Sequence, residues 1–177
     1  HEMLDGSKVE FVLDNGRLVV RLRTPKTWGG GVSGDVKVRI PAGAPLEIDT
    51  VNGEVTVTGN TESVSVDSNN GQVRVLEQRG NVEVDSTNGT IEVRSLAGSV
   101  NADTVNGTST IYAAPKTSDS IKCDTVNGSV KVHLPASVAA TLKIQTVNGS
   151  IRLDSANAKI SDSTQSRNNR AATINGG

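Results

Sequence analysis

Apolar and polar residues alternate along most of this chain in short runs, and the runs come in pairs. The first run of each pair holds Leu46 and Ile48, Val64 and Val66, Val82 and Val84, Val100 and Ala102, Ile121 and Cys123, or Leu142 and Ile144. The second holds Val55 and Val57, Val73 and Val75, Ile91 and Val93, Ser109 and Ile111, Val130 and Val132, or Ile151 and Leu153. A period of two in mainly β-branched residues, bounded by turn formers, predicts two strands per pair, and helical periodicity is absent. Between the runs lies a recurring motif: Asp49-Thr50-Val51-Asn52-Gly53, Asp67-Ser68-Asn69-Asn70-Gly71, Asp85-Ser86-Thr87-Asn88-Gly89, Asp103-Thr104-Val105-Asn106-Gly107, Asp124-Thr125-Val126-Asn127-Gly128 and Gln145-Thr146-Val147-Asn148-Gly149. Its glycines are spaced by 18, 18, 18, 21 and 21 residues.

Asn-Gly between two strands is also a hairpin signal, so the fixed period has to decide. An antiparallel meander pairs each strand with a reversed neighbour and does not require the same residue at the same phase of every repeat. A solenoid stacks equivalent residues about 4.8 Å apart and favours identity. The sequence therefore predicts an all-β fold: a narrow parallel β-solenoid, right-handed by the general crossover preference, with two short strands per coil of about 18 to 21 residues. The paired apolar residues become a thin aliphatic seam. Its narrowness accounts for a chain with one Phe, one Trp and one Tyr.

The repeats are expected to occupy residues 45–154. Residues 1–44, with Phe11, Trp28 and Gly29-Gly30-Gly31, predict an irregular N-terminal cap, which an open terminal coil needs. Residues 117–119 and 136–138 are the expected corner bulges of the two longer coils. Val38-Arg39-Ile40-Pro41-Ala42 echoes Val132-His133-Leu134-Pro135-Ala136. Residues 155–177 are polar, and Thr173-Ile174-Asn175-Gly176-Gly177 resembles the start of an incomplete further repeat, so the C-terminal end is expected to be open or disordered.

Composition narrows the function. With 18 Lys and Arg against 19 Asp and Glu, no uniform field steers the chain toward nucleic acid or an anionic membrane. No apolar run approaches the roughly 18 to 20 residues of a membrane helix, and the expectation is a soluble chain, leaderless or already processed. One cysteine excludes an internal disulfide and a multi-cysteine zinc site; Cys123 falls in the inward phase as a small buried hydrophobe. His133 lies in an outward phase far in sequence from His1, so the two form no metal site.

The Thr-Val-Asn-Gly core between alternating Val strands, preceded by Ile40-Pro41-Ala42, resembles a bacterial adhesin family of exported β-strand-repeat domains, over about residues 36–153. The resemblance implies a β-solenoid of the cell envelope, periplasmic or at the cell surface, and carries over no catalytic residue. The chain departs from the family at its C-terminus, where related domains finish with further complete repeats.

Stacking turns the motif into columns. Asn52, Asn70, Asn88, Asn106, Asn127 and Asn148, with Gly53, Gly71, Gly89, Gly107, Gly128 and Gly149, predict a structural turn ladder, since Asn bonds its own backbone and Gly relieves strain. Asp49, Asp67, Asp85, Asp103 and Asp124 form an acidic row that is solvated, bonded to neighbouring hydroxyls, or a weak cation ladder of the oxygen type calcium takes. The Thr50, Ser68, Ser86, Thr104, Thr125 and Thr146 column places one hydroxyl per coil at a corner, and the charged outer faces argue against ice binding. Outward residues run from acidic near the N-terminus (Glu47, Glu83) to basic near the C-terminus (Lys122, Lys131, Lys143, Arg152).

No nucleophile motif, phosphate loop or metal triad is present, and no cofactor is predicted. The expected function is a non-catalytic envelope solenoid acting as an adhesin-like binding surface or rigid spacer, through many weak contacts along a face of about 30 Å. Its partner would be an envelope protein or glycan. Two alternatives are a scaffold that homo-oligomerises through the solenoid ends and a polysaccharide-active β-helix enzyme.

Overall fold

The computed structural model describes residues 8–14, 17–23, 43–59, 62–116, 118–135, 138, 140–155, 159–166 and 169–175. Trp28, residues 29–31 and 38–42, Thr117 and Ala136 of the sequence reading lie outside these. Every described element is a strand: β1 (Lys8–Asp14), β2 (Arg17–Arg23), β3 (Leu46–Asn52), β4 (Val55–Thr58), β5 (Ser63–Gln78), β6 (Asn81–Ser95), β7 (Val100–Ala113), β8 (Ser120–Leu134), β9 (Ala140–Ser155), β10 (Lys159–Ser166) and β11 (Asn169–Asn175).

From β3 to β9 all pairing is parallel, giving a β-solenoid of about six coils. β3 and β4 make the first coil, and each of β5 to β9 is a whole coil whose ladder continues around the Asn-Gly corner. Register is that of the sequence columns: Asp85 lies over Asp67 and under Asp103, and Asn88 over Asn70 and under Asn106. We call the strand segment before the corner arm one and the segment after it arm two.

Both arms turn their alternating apolar residues inward. Val64, Val82 and Val100 stack in arm one, and Val75, Val93 and Ile111 in arm two, all at most 2% exposed. Each fully buried side chain of this size contributes roughly 1.5 to 3 kcal/mol relative to exposure. At Glu77 (φ 57°) β5 bulges, and Gln78 joins the buried set.

At the corner the rungs approach so closely that only glycine fits. A Cβ on Gly89 would sit 1.8 Å from the carbonyl oxygen of Gly71, and one on Gly107 would sit 1.7 Å from that of Gly89. The motif glycine is thus required by the neighbouring coil, more than by its own turn.

The ends leave the parallel stack. β1 and β2 form an antiparallel hairpin whose β2 pairs in parallel with β3. At the other end, the sequence predicts the start of a further repeat at residues 173–177. The chain reverses instead: β11 runs antiparallel to β9, and β10 antiparallel to β11. Arm one of the last coil is therefore covered by a hairpin rather than left open. A reversal of this kind ends the ladder of identical rungs and blunts the edge.

Gly89→Ala is expected to remove on the order of 3 kcal/mol of stability, because the clash is with backbone that cannot rotate away. Thermal unfolding followed by circular dichroism should show a large fall in Tm, against little change for Thr90→Ala at the exposed neighbouring position.

Candidate functional site

The corner places the motif columns at defined depths. Its asparagines form a continuous amide ladder: Asn70 Nδ2 donates to Asn52 Oδ1 at 3.0 Å, Asn88 to Asn70 at 3.0 Å, Asn106 to Asn88 at 2.8 Å, Asn127 to Asn106 at 3.0 Å and Asn148 to Asn127 at 3.0 Å. Each amide has both a donor and an acceptor, so the ladder extends indefinitely in one direction with no unpaired member inside it.

The hydroxyl column is not a surface row. Ser68, Ser86, Thr104, Thr125 and Thr146 are all buried, because they continue the inward phase begun two and four residues earlier. The sequence expectation of a corner hydroxyl array is corrected accordingly. Thr146 Oγ1 donates to the Gly128 carbonyl at 3.4 Å.

On either side of that column the chain faces outward, and the two outward columns differ in chemistry. One is the aspartate row, ending in Gln145; the other is Val51, Asn69, Thr87, Val105, Val126 and Val147. Together with the intervening Ser/Thr residues they line a trough of about 1100 Å³ that runs across all six coils. Its second wall is unusual: Val51 is 62% exposed, Val105 42%, Val126 40% and Val147 55%. Exposed valines repeated in register form a patch, whereas single exposed apolar residues need no explanation.

The acidic wall is graded along the axis. Toward the C-terminal coils, Lys122 Nζ lies 3.1 Å from carboxylate oxygens of both Asp103 and Asp124. The hydrogen bond to Asp103, with another to Asp124, holds that ammonium above its usual range despite partial burial. Among the described residues, Asp67 and Asp85 have no such cation. Burial, then the charges of Asp49, Glu83 and Glu47, pushes the Asp67 carboxyl above its usual range. Burial, then Asp103, Asp67 and Glu83, does the same to Asp85, with Lys122 opposing. Among the described residues no three His, Cys, Asp or Glu side chains gather to hold a metal ion; the aspartates stand one per rung in a row.

Arm two presents a different outer surface. Arg74 bridges Glu54 (2.9 Å) and Glu92 (3.5 Å), and Arg94 pairs with Glu92 (2.8 Å). One column there is a stack: the Arg94 guanidinium lies 4.6 Å from the Tyr112 ring centre, Tyr112 stacks on His133 at 4.5 Å, and His133 Nδ1 is 3.4 Å from Asp154. His133 therefore has companions that the sequence did not reveal. Cys123 is fully buried, and burial pushes its thiol up to about 12, with the neighbouring Ser109 hydroxyl opposing.

The valine wall is the feature that sequence reasoning missed. The signal was present: once Ile48 and Thr50 share the inward phase, Val51 must face out.

The Toastrack DUF4097 family model matches residues 31–176. No curated protein and no solved structure matches the chain.

Two outcomes follow from the site's burial and charge. Asp67 and Asp85 bind protons more readily folded than unfolded, so their contribution to stability grows as pH falls through their folded-state values and is complete below the ordinary value of 3.8. The variant Asp67→Asn/Asp85→Asn should accordingly melt slightly above the parent at pH 7, by less than about 1 kcal/mol per site given solvent screening. The gap should close toward pH 4, as read by calorimetry. Cys123 should resist a disulfide reagent such as dithionitrobenzoate in the folded protein and react stoichiometrically in denaturant, because the thiolate is the reactive form.

Proposed function

We propose a binding role for this chain, which belongs to the Toastrack DUF4097 family: it is a non-catalytic module of the cell envelope, and the trough is its adhesin-like face. The observation that carries the reading is the trough itself, which runs through six coils with an aspartate in five of them along one side and valine in four of them along the other. A site built this way offers related contacts at successive rungs, so affinity accumulates along a linear ligand rather than at one point. Catalysis of glycoside cleavage needs two carboxylates in unlike environments. Here the carboxylates stand one per rung in a single row, not as an opposed pair across a cleft.

Antiparallel hairpins lie against arm one at both ends, which favours a face-on ligand over rung-to-rung assembly of copies. Export to the envelope follows from the sequence resemblance and is part of the proposal. The solenoid also serves as a rigid mount, since the trough walls are strands of the core and not loops.

Screening the purified domain on arrays of envelope glycans and peptides tests the role. Val105→Arg/Val126→Arg should lower binding of the ligand so identified at least tenfold while leaving Tm nearly unchanged, because both valines are already solvent-exposed. Lys131→Glu, on the outward side of arm two, should leave binding intact. A ligand insensitive to the trough variant would refute the assignment of this face.

A further inference from the structure

We infer that the ligand of the trough is an extended polypeptide, carrying basic side chains along one edge and aliphatic side chains along the other. This rests on the trough being the binding face. The walls are complementary to such a chain: a strand lying along the coil axis points alternate side chains to opposite sides, one toward the aspartates and one toward the column of Val51, Asn69, Thr87, Val105, Val126 and Val147, which is aliphatic in its first and its last three coils. Lys and Arg stems are long enough to absorb the mismatch between a two-residue strand repeat of about 6.7 Å and a rung of about 4.8 Å.

Charge specifies the direction. Asp67 and Asp85 line the trough with no lysine bridging them among the described residues, and a bound cation would relieve the repulsion of Asp49 and Glu83 on Asp67 and of Asp103, Asp67 and Glu83 on Asp85. Asp103 and Asp124 are already bridged by Lys122, and the sixth rung has Gln145 in the row. Basic residues of the ligand therefore belong over the first three or four rungs, and its neutral end over the last two. Six rungs at about 4.8 Å accommodate roughly seven to eight residues at about 3.3 Å each.

Two other ligand classes fit less well. Sugar rings bind aromatic platforms, and the Tyr112 ring is held between Arg94 and His133, leaving no open face. A divalent cation needs converging oxygens, and this row supplies one carboxylate per rung.

Fluorescence anisotropy with a labelled octapeptide of four Lys-Val repeats tests the inference. It should bind at least tenfold more tightly than four Lys-Gly repeats or four Glu-Val repeats, and should weaken as sodium chloride rises from 50 to 500 mM. Asp67→Asn/Asp85→Asn should weaken it at least tenfold without lowering Tm, so that lost binding is not lost folding. Val105→Ser/Val126→Ser should weaken it as well. Equal binding of the Lys-Val and Lys-Gly peptides, or indifference to the Asp→Asn variant, would overturn the inference. So would calcium chloride alone raising Tm by several degrees and displacing the peptide. If no peptide binds, yet an array ligand is lost in Val105→Arg/Val126→Arg, the polypeptide inference fails and the trough reading survives. Loss of neither brings down both.

Discussion

Parallel hydrogen bonding in strict register sets every other property of this protein, because it puts each residue about 4.8 Å from its equivalents above and below. The constraint is tightest at the corner. There the carbonyl of one motif glycine occupies the space a side chain on the next would need. Glycine at that position lets the two arms fold face to face without breaking the ladder, and the asparagine beside it carries the ladder on in side-chain form.

The same superposition acts with opposite signs on different columns. Aliphatic columns gain, since stacked valines and isoleucines exclude water from both neighbours. Amide columns gain, since each Asn is donor to one neighbour and acceptor from the other. Carboxylate columns lose, since like charges are brought to one rung's separation. Lys122 offsets this for Asp103 and Asp124, while Asp67 and Asp85 remain with raised proton affinity. A repeat that keeps an unfavourable column beside an exposed column holding valine in four of its six coils holds back two kinds of interaction that a ligand can satisfy. In a chain whose interior is otherwise so economical in side-chain size, that surplus is the strongest pointer to where function resides.

Periodic order also creates the problem of how to stop. An ideal coil would end in a bare edge capable of pairing with another copy. Both ends of arm one are instead occupied by hairpins, and at the C-terminal end the direction of the chain is reversed. The motif-like residues 173–177 misled sequence reasoning because similarity of letters does not encode strand direction: Ile174 pairs with Ala140 running the opposite way.

By itself the sequence determined the rung. Its period of 18 or 21 residues, its inward alternation and its Asn-Gly corners specify parallel stacking, since only superposed coils reward the same letter at the same phase. Tertiary structure decided what lies beside what across the rungs. That the aspartate column and the column of Val51, Val105, Val126 and Val147 line one shared trough depends on how sharply the corner bends. Bend angle arises from the contact of one coil's backbone with the next, a distance no local pattern of residues contains.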